Sequence, residues 1–262
     1  MIEEFNYFLL GLVQGLAEFF PISSSGHILL LSTILDVAEK NPLLLSITVH
    51  FATTLSTIVI YHDKLKKILI GVIKHNDNVA ISYFLKILIS SIPVLIVGLF
   101  FKDYVESLFN NSMLLVLIML FITGCVLILT TVASIGDKRI SYYYAFLIGL
   151  AQAVAILPGI SRSGATISAA LFLKIDKKNA AEFSFIMVLL PIIGITFLEL
   201  ILFTSSEIQL DTSQIKGLVV AFVTSFVSGL FACKYMISIV KHNNLKYFGF
   251  YCIFVAILGF FI

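Results

Sequence analysis

Apolar runs long enough to cross a bilayer follow one another through this chain, and they narrow its folds to helical ones. Six are uninterrupted: 43–61, 80–101, 113–133, 181–203, 216–240 and 246–262. A helix needs ~20 apolar residues to span the hydrocarbon core, where only intrasegment hydrogen bonds satisfy the backbone. The 262 residues are 60% hydrophobic and 12% charged, with mean hydropathy +1.07. Soluble domains carry about twice that charged fraction, so no polar shell is available for water. The expectation is a single all-α polytopic membrane domain, 1–262. A net charge of +2 is too small to attract nucleic acid. Cys125, Cys233 and Cys252 sit inside apolar runs without paired or metal-ligand spacing and read as small hydrophobes. The start of the chain is acidic (Glu3, Glu4), unlike the basic start of a secretory signal peptide.

Two further apolar stretches, 5–33 and 141–173, carry Pro, Gly and Ser near their centres. Such breaks free backbone groups that lipid cannot satisfy. They persist only where protein buries them or a wet cavity receives them. Loop charge then orients the chain. Lys64, Lys66, Lys67 and Lys74 follow 43–61; Lys138 and Arg139 follow 113–133; Lys174, Lys177 and Lys178 follow 141–173; Lys241 and Lys246 flank the last connection. Acidic loops alternate with these: Asp36 and Glu39, Asp103 and Glu106, Glu207 and Asp211. The positive-inside rule puts the basic set in the cytoplasm. Both flanks of 141–173 are then cytoplasmic, so the segment enters and leaves on one face as a re-entrant hairpin.

An internal repeat extends the argument to 5–33. Gly11-Leu12-Val13-Gln14 matches Gly149-Leu150-Ala151-Gln152, and Ser23-Ser24-Ser25-Gly26 matches Ser161-Arg162-Ser163-Gly164. Both matches have the same offset, while Pro21 and Pro158 are displaced by one residue. Each half, 1–135 and 136–262, then holds one broken hairpin followed by three spans. Three is odd, so the halves insert with opposite orientation. The expected architecture is an inverted-topology repeat with six transmembrane helices and two re-entrant helical hairpins. Both chain ends face outward, and the site lies near the midplane where the repeats meet.

Lys86 and Lys234 lie near expected cytoplasmic ends and can snorkel. Glu182 and Glu199 lie near the two ends of their span and read as interfacial. Glu18 and Arg162 are different, because each sits mid-hairpin. An unpaired charge there costs at least ~2.5 kcal/mol, and intramembrane charges are functional by default. The bland alternative is an ion pair that only holds the hairpins together. Around them, Pro21-Ile22-Ser23-Ser24-Ser25-Gly26-His27 and Pro158-Gly159-Ile160-Ser161-Arg162-Ser163-Gly164-Ala165-Thr166 each lead into an apolar helical run. Ser caps a helix, Gly admits a close ligand, and a helix N-terminus attracts phosphate. Arg162 adds a bidentate fork. His27, or a serine hydroxyl beside it, supplies acid–base or nucleophilic chemistry. Glu18 orients the His, accepts a proton or holds a divalent cation.

These two signatures resemble those of the undecaprenyl-diphosphatases, also called bacitracin-resistance proteins. The match runs through Gln14-Gly15-Leu16-Ala17-Glu18 into the first signature. It continues from the second to Ile167, and again at Glu182-Phe183-Ser184-Phe185 leading to Pro191. The resemblance implies a plasma-membrane phosphatase that converts a polyprenyl diphosphate to the monophosphate, recycling the lipid carrier of cell-wall assembly. It carries the catalytic roles to Glu18, Ser24, His27 and Arg162, with Ser24 or His27 as nucleophile and Arg162 as phosphate clamp. It carries phosphate binding to Ser23, Ser25, Gly26, Ser161, Ser163, Gly164 and Thr166. A Mg2+ or Ca2+ ion would be held by Glu18 and Gln14. Many members have Glu where this chain has Gln14, and many have Tyr-Arg where it has Tyr251-Cys252. The partners implied are a polyprenyl diphosphate and membrane lipids, with a homodimer left open. The alternative from another class is a lipid-carrier flippase or transporter built on the same inverted repeat.

Overall fold

The computed structural model describes residues 2–35, 42–74, 77–101, 113–133, 136–204, 211–242 and 244–261. Asp36, Glu39, Asp103, Glu106, Glu207 and the side chain of Glu199 lie outside the described residues. Among the described residues the chain is helical, apart from one isolated bridge between Lys138 and Ile175.

Two helix pairs are joined by the breaks foreseen in the sequence. The first is α1 (Ile2–Phe19) and α2 (Ser24–Ile34). Pro21 lacks a backbone N–H and disfavours helical geometry at the residue before it, so α1 ends at Phe19. Between the pairs run α3 (Pro42–Ile60), α4 (His62–Ile73), α5 (Asn78–Phe100) and α6 (Met113–Leu129, continued by a 3-10 turn, Thr130–Val132). The second pair is α7 (Tyr142–Val154) and α8 (Arg162–Phe172), broken before Pro158 and Gly159. α9 (Lys177–Met187), α10 (Leu189–Thr204), α11 (Thr212–His242) and α12 (Lys246–Gly259) complete the order.

α5, α6 with its 3-10 turn, Lys177–Leu198 and Thr212–Lys241 are each long and apolar enough to cross a membrane. α3 and α4 make a fifth span only if counted together, because the chain bends by 79° between them. Three details differ from the sequence expectation. The stretch after residue 61, expected as a basic loop, is the helix α4. Its lysines Lys64, Lys66 and Lys67 share it with the buried Ile68 and Gly71, as in a helix lying along an interface. The run 181–203 is split at Val188, because Pro191 has no N–H to offer the carbonyl one turn back. The last run, 246–262, becomes a 14-residue helix. At ~1.5 Å per residue it is ~21 Å long, short of the ~30 Å core.

Small residues set the packing. α1 lies on α11, with Gly11 against Ala221 and Thr224 and Gly15 against Ser225 and Ser228. α7 lies on α5, with Gly149 against the Ser90 backbone. α6 and α12 meet at Gly124 and Gly249. A Cβ on either glycine would sit 2.7 Å from the other's carbonyl oxygen. In lipid such close backbone approach replaces the hydrophobic driving force. α3 is tied to α11 by Ser56 Oγ–H donating to Phe226 O (2.8 Å) and Ser225 Oγ–H donating to Val49 O (3.1 Å). Glu182 pairs with Lys64 and, at 3.8 Å, with Lys178, so its carboxylate is matched by two cations.

Two glycines test this packing. Nothing lies within 4 Å of a Cβ built on Gly98, whereas one on Gly149 meets the Ser90 carbonyl. Gly98→Ala is expected to raise stability in detergent by about 0.5–1 kcal/mol, the usual helix-interior gain. Gly149→Ala is expected to lower it by about 1–3 kcal/mol, because α7 must move off α5. Thermal unfolding of the two variants against the parent protein reads both.

Candidate active site

The two breaks use the same local chemistry. At the first, Ser23 caps α2: its Oγ accepts from Gly26 N (3.3 Å) and lies 3.3 Å from Ser25 Oγ. At the second, Ser161 caps α8: its Oγ accepts from Gly164 N (3.1 Å) and lies 3.3 Å from Ser163 Oγ. The backbones are not identical. Ser23 has φ 69° where Ser161 has φ −75°, so the first tip stores the strain of a left-handed non-glycine residue. Gly159, at φ 91°, turns the second tip against the Val116 carbonyl, where a side chain has no room.

Side chains from across the molecule satisfy the backbone groups freed by the breaks. Thr123 of α6 donates from Oγ1 to Gly159 O (3.2 Å) and accepts from Ser161 N (3.1 Å). Ser163 Oγ–H donates to Phe20 O (3.4 Å), and Gly159 N–H donates to Ser25 Oγ (3.4 Å), so each tip also serves the other. Cys252, expected as a small hydrophobe, is buried and lies with Sγ 3.7 Å from Pro21 O. His27 Nδ1 lies 2.8 Å from Ser23 O.

Glu18 and Arg162 meet between the tips. Arg162 Nη2 lies 3.1 Å from Glu18 Oε1. On the other carboxylate oxygen, Ser24 Oγ–H and Gln14 Nε2–H each donate at 3.0 Å. Ser24 and Arg162 occupy the same position in the two repeats, the first residue of α2 and of α8. A hydroxyl and a guanidinium are thus placed at two helix N-termini, with one carboxylate between them.

This cluster lines a cavity of about 570 Å³, which runs from Glu18, Ser24 and Arg162 along α2 and the start of α3, past Ser32 and Pro42. A smaller cavity of about 20 Å³ adjoins the same pair and is bordered by Thr53, Thr57, Ser163 and Ser184, room for about one water molecule.

Of the residues expected from sequence, Glu18, Ser24, Ser25, Ser161 and Arg162 line the large cavity, and Ser163 borders the small one. Ser23, Gly26 and Gly164 form the caps behind the tips. Thr166 is turned to Ser184, 2.5 Å away on α9. His27 departs from expectation. It was placed beside the serine hydroxyl, but its ring stacks on Tyr251 of α12 and its Nε2 lies 2.9 Å from the Tyr251 hydroxyl. The Ser23 carbonyl and the Tyr251 hydroxyl hold the ring, while the Ser24 hydroxyl donates to Glu18. Both ring nitrogens of His27 are engaged away from the carboxylate.

His50 of α3 is the imidazole at the cavity, and the sequence reading passed over it. Its Nδ1 lies 2.9 Å from Ser46 O and its Nε2 3.7 Å from Glu18 Oε2. The signal was present, since His50 is an ionisable residue inside the 43–61 run.

The residues named for a divalent cation fit one only partly. Gln14 turns its NH2 to Glu18, while its carbonyl Oε1 is buried without a partner. That orphaned acceptor and the Glu18 carboxylate are hard oxygen donors one helical turn apart. Mg2+ commonly takes one or two protein oxygens and completes its shell with substrate phosphate and water. Among the described residues no group of three or more His, Cys, Asp or Glu is poised for a metal.

Known proteins resemble the chain along nearly its whole length. The family described as bacitracin resistance protein BacA matches residues 7–258. A protein of Christiangramia forsetii named undecaprenyl-diphosphatase is 42% identical over 258 residues, 98% of this chain and 97% of its own. One of the same name from Bacteroides fragilis is 43% identical over 258 residues, again 98% and 97%. One from Methanococcus maripaludis is 38% identical over 247 residues, 93% and 94%. The chain, matched almost end to end by that family and by these relatives, belongs to the bacitracin resistance protein BacA family.

Proposed function

We propose that this protein is a membrane phosphatase that hydrolyses undecaprenyl diphosphate to the monophosphate and inorganic phosphate, recycling the lipid carrier of cell-wall assembly. The observation that carries the reading is the meeting of Ser24, Glu18 and Arg162 at two helix N-termini. A transporter also needs an anion site; the hydroxyl hydrogen-bonded to a carboxylate adds the nucleophile and base that hydrolysis requires.

The chemistry follows from the contacts. The diphosphate enters between the tips, where free N–H groups and Arg162 take up phosphate oxygens. Ser24 Oγ attacks the terminal phosphorus while Glu18 Oε2, already 3.0 Å away, accepts its proton. The bond from that phosphorus to the bridging oxygen breaks, and Glu18 returns the proton to the departing lipid monophosphate. Water then cleaves the phosphoserine and releases inorganic phosphate. Arg162 exchanges its contact with Glu18 for the equatorial oxygens as charge builds on them. His27 holds the first tip through Ser23 O and Tyr251. Glu18 and Gln14 hold Mg2+ or Ca2+ when it is bound, and the ion neutralises phosphate charge.

The proposed setting is the plasma membrane, with six spans and two re-entrant hairpins related by an inverted repeat. The matched Ser23 and Ser161 caps and the reciprocal Gly124–Gly249 contact support the repeat. In that topology the large cavity lies on the outward side of the tips, because Ser32 and Pro42 are near outer helix ends. Single cysteines at Lys138 and Lys174 are expected to be labelled by an impermeant thiol reagent from the same, cytoplasmic face; labelling from opposite faces would make 141–173 a span.

Phosphate release from a long-chain polyprenyl diphosphate by purified protein tests the function. Arg162→Lys keeps the charge and loses the fork, and is expected to lower kcat/KM by about 10²–10³. Ser24→Ala is expected to remove at least that much while folding is retained. Parent-level release by both folded variants would exclude the mechanism.

Chelation is expected to lower phosphate release, and added Mg2+ or Ca2+ to restore it. Gln14→Glu adds a second carboxylate, and should reduce the half-saturating cation concentration about tenfold, read from activity against free cation. An unchanged titration curve would remove position 14 from the site.

A further inference from the structure

Gln152 is a buried polar side chain at the cavity that the proposed chemistry leaves unused. It sits near the end of α7, only 2% exposed, and it lines the large cavity. Neither its amide nitrogen nor its amide oxygen has a hydrogen-bond partner. A buried polar group left unmatched costs about 1–3 kcal/mol, and an amide presents two.

The repeat explains how this arises. Gln152 is the counterpart of Gln14, and four residues after Gln14 the chain places Glu18, which accepts from the Gln14 amide at 3.0 Å. Four residues after Gln152 it places Ile156, which has nothing to accept with. One glutamine thus has a carboxylate partner and the other has none, although it faces the cavity that Arg162 and Ser24 also line. Its neighbours on that wall are apolar: Val94, Ala155, Ile156 and Ile160. An apolar isostere would fill such a wall at lower cost, so the amide needs a partner supplied by the ligand.

We infer that Gln152 is a substrate-binding residue whose amide N–H donates to an oxygen of the phosphate that stays on the lipid, with the first apolar units of the tail against Ile156 and Ile160. This rests on the phosphatase reading and deepens it. Arg162 and Ser24 take the terminal phosphate, which is transferred, and Gln152 takes the inner one. The cavity thereby reads a diphosphate attached to an apolar chain rather than any phosphate monoester. An amide donates without adding charge, so it holds the inner phosphate without competing with Arg162 for Glu18.

The test is Gln152→Leu, with Gln152→Met as a second near-isosteric variant should Leu lower the yield. Because the substitution removes an unpaired amide, the variant is expected to unfold at or above the parent temperature. KM for the polyprenyl diphosphate is expected to rise about tenfold or more, with kcat within about threefold, as for a contact made equally in ground and transition states. A non-hydrolysable methylene-bridged prenyl diphosphonate should raise the unfolding temperature of the parent protein and raise that of the variant much less. Unchanged KM with an unchanged diphosphonate shift would overturn the inference and leave the phosphatase reading intact. So would a lowered unfolding temperature with diphosphonate affinity retained, since that marks a structural amide. Absence of phosphate release by the well-folded parent would instead remove the phosphatase reading, and this inference with it.

Discussion

Lipid offers no hydrogen bonds, and two broken helix pairs in an apolar chain must therefore find partners for their freed backbone groups inside the protein. The rest of the structure follows from that demand. Thr123, Ser163, Cys252 and His27 are placed where Gly159 O, Phe20 O, Pro21 O and Ser23 O need them. The tips cannot drift apart, because Ser163 serves a carbonyl of the first tip and Ser25 accepts from an N–H of the second. The half-buried Glu18–Arg162 pair adds a charge constraint between the tips. The elements that keep the backbone satisfied in lipid are also the elements that put two helix N-termini around one cavity.

Function arises where the repeats differ. The capping serines, the glycine approaches and the glutamines at positions 14 and 152 recur in both halves, and they build a scaffold. The reactive groups do not recur. Ser24 in one half is Arg162 in the other, Glu18 is Ile156, and His27 is Ala165. A symmetric frame thus holds a hydroxyl opposite a guanidinium, with one carboxylate between them. The strain at Ser23, absent at Ser161, falls on the half that carries Ser24 and Glu18.

Much of the site could be read from the chain because its residues are close to one another in sequence and their helix-start chemistry is local. Ser23 and Ser161 as caps, and Glu18 and Arg162 as costly central charges, needed only spacing and burial to be recognised. His50 escaped because its partner is thirty-two residues away on another helix, and its place inside an apolar run was the sole local mark. His27 was misplaced because its partner is also distant: it lies one turn from Ser24 on the same helix, but Tyr251 of the last helix, 224 residues away, captures the ring. The helix α4 was taken for a loop because its lysines were read as loop charge, while the face that buries Ile68 and Gly71 is set by contact with α5.

The sequence by itself determined that the chain is helical and lives in lipid, that two of its apolar stretches are broken, and which residue types stand at the breaks. Those properties follow from hydropathy, proline geometry and capping, all of which act over a few residues. Only the tertiary structure decided which side chains share the cavity: that Ser24 and Arg162 meet at one carboxylate, that His50 joins them and His27 does not, and that Gln152 faces the cavity unpaired. Those outcomes depend on how helices rotate and pack, and small residues such as Gly15, Gly124, Gly149 and Gly249 set that rotation through contacts distant in sequence.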